Sequence, residues 1–185
     1  ALEFVAHAAG GTSVTMESDV ALLVLRATIG AIFAAHGLQK LFGWWGGPGW
    51  EGWKGFVGQM GFRPILLWAS IAVLAELAGI ALVLGLLVPI AAAGLVAQSI
   101  VIIRKAHWAN GFWNSNGGIE WPLALLAGAF AVQVLGPGSW SLDAFLPVDV
   151  LYDPAVSWII LGLAVAGALV GAFLPPPAAP ETPST

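Results

Sequence analysis

No cysteine occurs in the 185 residues. That excludes disulfides, iron–sulfur clusters, thiolate zinc sites and dithiol redox relays built from the chain's own side chains. Charge is scarce as well: 9% of residues are Asp, Glu, Lys or Arg, against about 25% in ordinary soluble domains. Six basic residues face ten acidic ones, for a formal net charge of −4, so the basic surface that nucleic-acid binding needs is missing. Residues 1–18 lack the basic and contiguous apolar regions of a secretory signal peptide and read as an N-terminal tail.

What is abundant is apolar surface. Hydrophobic residues make up 59% of the chain and the mean hydropathy is +0.90, the composition of an all-α integral membrane protein. Each crossing needs roughly 20 mostly apolar residues, so the length suits one domain of several spans.

The first span runs from about residue 19 to 42, interrupted only by Arg26 and His36, with Asp19 a candidate cap for its start. Residues 43–61 hold four tryptophans among many glycines and read as a loop. The apolar run from Phe62 to Lys105 is too long for one crossing of a ~30 Å core. It turns at LGLLVP, Leu84 to Pro89, where glycine precedes and proline opens a new helix, giving spans at 64–85 and 88–105. HWANGFWNSNGG, 107–118, is a loop, and a fourth span follows at 119–135. These four spans belong to a membrane bundle over 19–154. A fifth transmembrane helix is expected at 155–174 and a proline-rich disordered tail at 175–185.

Alternation of the spans puts the first and third loops on one membrane face. Lys40, Lys54, Arg63, Arg104 and Lys105 flank them, so the bias of Lys and Arg toward the cytoplasm places both loops inside. Seven of the ten tryptophans, Trp44, Trp45, Trp50, Trp53, Trp108, Trp113 and Trp121, share that face. Tryptophan anchors both interfaces about equally, so the one-sided concentration points to a ligand pocket between the two loops as well as to anchoring.

A charge at mid-membrane costs at least about 2.5–3.5 kcal/mol, so each one needs an account. Arg26 is placed to snorkel to the N-terminal interface. Glu76 sits twelve residues from one end of its span and nine from the other, beyond the reach of loop water, and is either protonated or paired with Arg26, His36 or Lys40. His36, Gln39 and Lys40 are spaced i, i+3 and i+4 and share one helix face. Imidazole titrates near neutrality and can pass a proton or bond a carbonyl. Glu76 and His36 are therefore the candidate catalytic, proton-handling pair. The candidate ligand-binding residues are His36, Gln39, Lys40, Trp44, Trp45, Trp108, Trp113, Glu120 and Trp121. Polar anchors between flat aromatic walls suit a quinone headgroup. No metal or haem site is expected, because no HxxxH or ExxH spacing is present.

The stretch R-x-x-x-G-x-x-F-x-x-H-G-x-x-K from Arg26 to Lys40, LAELAGIALVLGLLVP with Glu76, NGGIEWPLALLAGAF with Glu120, and GPGSWSLD from Gly136 to Asp143 together resemble the DoxX family of small membrane proteins. The resemblance covers roughly residues 22–145. It implies a four-helix DoxX-like bundle, here with an additional C-terminal transmembrane helix, in the inner membrane of a prokaryote. It further implies association with respiratory or sulfur redox chemistry. At most the chain is then a quinone-interacting subunit of an oxidoreductase such as a thiosulfate:quinone oxidoreductase, with other membrane or peripheral redox subunits as partners beside the lipid bilayer. The alternative is a non-catalytic accessory or assembly subunit of a larger membrane complex. Transport ranks below both, since neither inverted repeats nor paired broken helices are evident. Physically, GPGSWSLD reads as an ordered turn in which Ser141 and Asp143 cap local backbone donors.

Overall fold

Apolar stretches in a bilayer must satisfy every backbone N–H and C=O internally, and helices do so without water. The computed structural model describes residues 16–173. Residues 1–15, most of the expected N-terminal tail, and 174–185, with the proline-rich tail, lie outside the described residues. Five long helices form the bundle: α1 (Met16–Phe42), α3 (Ile65–Leu84), α4 (Val88–Ile102), α5 (Glu120–Leu135) and α6 (Pro154–Phe173). A shorter helix, α2 (Gly49–Gln59), lies between α1 and α3. The protein is thus an all-α multi-pass membrane protein, with four helices long and apolar enough to cross, counting α4 through to Asn110, and a shorter apolar α5 of 16 residues.

The helices break where the backbone is forced out of the helical region. Gly85 ends α3 with φ 66°, a left-handed position that glycine adopts without penalty. Leu87, also left-handed at φ 47°, precedes Pro89 near the start of α4. Beyond Ile102 the helix widens into a π turn, Ile103–His107.

Helix α4 is central, packing on α3, α5 and α6, while α1 lies against α3 and α5. Helix α6, at the position of the expected fifth span, therefore packs on the bundle through α4. Lipid tails are as apolar as leucine, so close packing rather than burial from water holds such helices together. At the α1–α3 crossing the chains touch backbone to backbone: a methyl on Gly30 would strike the Gly79 carbonyl oxygen, and one on Gly79 would strike that of Gly30. The main core joins Ile29 and Phe33 of α1 to Leu82, Leu95, Ala129 and Leu161 of the other long helices.

The first loop differs from the expected irregular segment, since residues 49–59 form α2. Its glycines hide an amphipathic pattern. Trp53 and Val57, one turn apart, are buried with Phe62, Ala69 and Val73 in a second apolar cluster, and the Trp53 indole N–H donates to the Ala69 carbonyl at 3.1 Å. Each interior glycine costs a helix about 1 kcal/mol relative to alanine, and docking on α3 offsets that cost.

Candidate functional site

The last turns of α1 carry His36, Gln39 and Lys40 on one face, and α2 lies across that face. Between them is a cleft of about 630 Å³ lined by these three residues and by Pro48, Gly52, Trp53, Gly55, Phe56 and Gln59. That volume lies in the range of small-molecule sites. Neither the His36 nor the Gln39 side chain is hydrogen-bonded to another described residue.

Lys40 is the link between the cleft and the bundle interior. Its ammonium stands 4.0 Å from the centre of the Trp53 ring and forms an ion pair with Glu76 Oε1 on α3. Gln98 of α4 donates to the same oxygen at 3.3 Å. Glu76 is 1% exposed, and its Oε2 has no hydrogen-bond partner among the described residues. Of the three cations that the sequence offered to Glu76, the fold selects Lys40, because the α1–α3 crossing brings their faces together.

The other candidate ligand residues lie away from this cleft. Trp44, Trp45, Trp108, Trp113 and Trp121 are each at least half exposed, with Phe42 stacked on Trp44 and Phe112 edge-on to Trp113. They have the placement of interfacial anchors. Glu120 accepts the Asn114 amide at 2.9 Å, bracing the start of α5. The third loop closes on itself: His107 Nδ1 donates to the Gly117 carbonyl at 2.6 Å, and the Ile119 amide bonds Gly111. The cleft therefore lies between α1 and α2, not between the first and third loops, and none of its lining residues comes from 107–121. Sequence reasoning missed Pro48, Gly52, Gly55, Phe56 and Gln59, and left Trp53 out of the candidate set; the spacing of Trp53 and Val57 was the available signal.

A second polar cluster occupies the opposite end of the bundle. Asp143 accepts the Leu87 amide at 2.7 Å and the Val88 amide at 2.9 Å, capping α4 and holding Leu87 in its left-handed conformation. Its cap is thus distant in sequence, whereas Ser141 caps locally, accepting the Ala144 amide at 3.3 Å. Tyr152 donates to Asp143 Oδ2, and burial, then that hydrogen bond, push its phenol well above the usual tyrosine range. Asp19 accepts the Ser139 amide at 2.7 Å instead of capping α1. Arg26 donates to the Pro137 carbonyl and is 1% exposed, so it is sealed under the GPGSWSLD loop and does not snorkel. These contacts tie the start of α1, the α3–α4 turn and the α5–α6 connection together.

Among the described residues no three His, Asp or Glu side chains gather as a metal site would require. No curated protein and no solved structure matches the chain. Residues 21–108 match the DoxX family model, a span that contains the cleft, Lys40, Glu76 and Gln98 but not Glu120 or GPGSWSLD, and this match supports membership of the DoxX family.

Proposed function

We propose that the chain is a membrane subunit associated with a respiratory or sulfur-type oxidoreductase of a prokaryotic inner membrane, and that it binds a quinone or similar planar carbonyl compound in the α1–α2 cleft. The observation that carries this reading is Lys40, which lines the cleft beside two uncommitted polar side chains while pairing with a buried carboxylate. His36 and Gln39 supply the hydrogen bonds to the ligand's carbonyl groups. Trp53 and Phe56 supply aromatic walls. A quinone, when bound, supplies the redox-active ring; the chain itself binds it, orients it and holds protons nearby. Glu76, with one oxygen on Lys40 and the other unpartnered, is the proton-handling carboxyl. Electron donors belong to partner subunits, since the chain has no cysteine and no recognisable cofactor ligands.

The test is purification from native membranes with quantification of extracted quinone. Wild type and Glu120→Gln retain quinone; His36→Ala and Gln39→Leu lose most of it. Equal quinone content in all four proteins overturns the reading. A second reading, a non-catalytic assembly subunit, draws on α6, whose outward face exposes Trp158, Ile159, Leu163 and Val170. Stable co-purification of partner proteins with no bound quinone in the wild type favours it.

A further inference from the structure

Resting on the reading of the α1–α2 cleft as a ligand site, we propose that Gly55 determines its specificity. The backbone of α2 at Gly52 and Gly55 is the wall on which the flat face of an unsaturated ring lies, facing His36, Gln39 and Lys40, so the site takes planar rings and rejects bulky saturated or branched ones.

Glycine recurs at every third position of α2, at residues 49, 52, 55 and 58. Three of the four have a local reason. Gly49 opens the helix at φ 63°. A methyl on Gly58 would stand 3.1 Å from Ile65 Cδ1, and one on Gly52 would stand 3.0 Å from Pro48 Cβ. Gly55 has neither a left-handed backbone nor a neighbour: a methyl there would meet nothing within 4 Å. Alanine would be the better helix former at that position, and the protein's own packing would admit it.

What a side chain at 55 would occupy is the cleft itself, since Gly55 lines it. Pro48, Gly52, Gly55 and Gln59 all line it, and their spacing, i, i+4, i+7 and i+11, puts them on one helix face. The middle of that face is bare backbone, which a ring can approach more closely than it could approach any side chain. Trp53, fixed by its bond to Ala69, keeps this face turned toward α1. The uncommitted His36 and Gln39 then read the ring's edge while the glycine wall reads its thickness.

The experiment uses the full chain in lipid nanodiscs, titrated with a short-tailed ubiquinone carrying a decyl chain, and separately with a saturated cyclohexanedione of the same tail. Wild type binds the ubiquinone at least tenfold more tightly than the saturated analogue. Gly55→Leu weakens ubiquinone binding at least tenfold, and Gly55→Ala weakens it severalfold while raising the thermal midpoint of the free protein. Wild-type affinity in Gly55→Leu, or a lowered midpoint in Gly55→Ala, overturns the role of Gly55. If His36→Ala still weakens binding in that case, the cleft reading survives without it. A wild type that binds no ubiquinone overturns both.

Discussion

Lys40 on α1 and Glu76 on α3 form an ion pair within the bundle, with the carboxylate 1% and the ammonium side chain 14% exposed. Removing one member of a buried pair leaves the other uncompensated and typically costs about 3–5 kcal/mol, whereas removing both costs much less. Lys40→Met and Glu76→Leu should each lower the unfolding midpoint in detergent by many degrees, and the double variant should recover most of the loss. Additive losses would show that the two charges act independently.

Asp143 offers a larger effect than an ordinary cap, because its carboxylate accepts two amides and a phenol. Loss of a cap costs about 0.5–2 kcal/mol, and each buried donor left unpaired adds about 1–3 kcal/mol. Asp143→Ala is expected to destabilise the protein by about 3 kcal/mol, with Asp143→Asn intermediate. Amide hydrogen exchange at Leu87 and Val88 should accelerate in both; unchanged protection there would rule out the cap.

The phenol of Tyr152 lies outside the spanning helices and has a pKa raised above its ordinary value of 10.0. A group that holds its proton more tightly when folded contributes stability that is complete below its unfolded pKa and is lost as pH rises through the folded one. The stability advantage of wild type over Tyr152→Phe should therefore be flat from pH 7 to about 10 and shrink above that. Thermal melts across this range check it, and an advantage that grows with alkaline pH would contradict the assignment.

Trp53 is expected to hold α2 on α3. Trp53→Phe keeps ring burial but loses the bond to Ala69, while Trp53→Ala also opens a cavity of the kind that costs about 3–5 kcal/mol in packed cores. Limited proteolysis should cut the alanine variant within residues 43–64 much faster than wild type, with the phenylalanine variant between them. Equal cleavage of all three would mean that α2 is held by other contacts.

Gly30 and Gly79 place two backbones in contact. Gly79→Ala puts a methyl against a carbonyl oxygen that cannot move aside as a side chain could, so it should lower the melting point, whereas Gly55→Ala, which adds the same methyl to a helix, raises it. Comparing the two melting points tests this, and an unchanged melting point for Gly79→Ala would argue against a tight crossing.

Much of the architecture is legible in sequence because membrane spans are written in composition. Twenty apolar residues with few charges force a helix wherever they fall, and a glycine before a proline marks the turn at 84–89. The α2 helix was not legible. Four glycines in eleven residues weaken intrinsic helix preference, and only docking of Trp53 and Val57 on α3 overrides that. The candidate site was legible in part. The His36, Gln39 and Lys40 face follows from helical spacing alone, while Glu120 and five exposed tryptophans, grouped with it by shared membrane side, lie elsewhere, because sharing a side says nothing of lateral distance.

A multi-pass helical membrane protein follows from the apolar runs alone, since the bilayer leaves them no other way to satisfy their backbone. The need of any charge within those runs for a partner follows from the same runs. Which partner each charge finds depends on the fold: Lys40 for Glu76, and the loop carbonyl of Pro137 for Arg26. Pairing inside a bundle depends on which helix faces meet, and here that is set by the close crossing at Gly30 and Gly79 and by a capping loop that reaches back 55 residues to the start of α4.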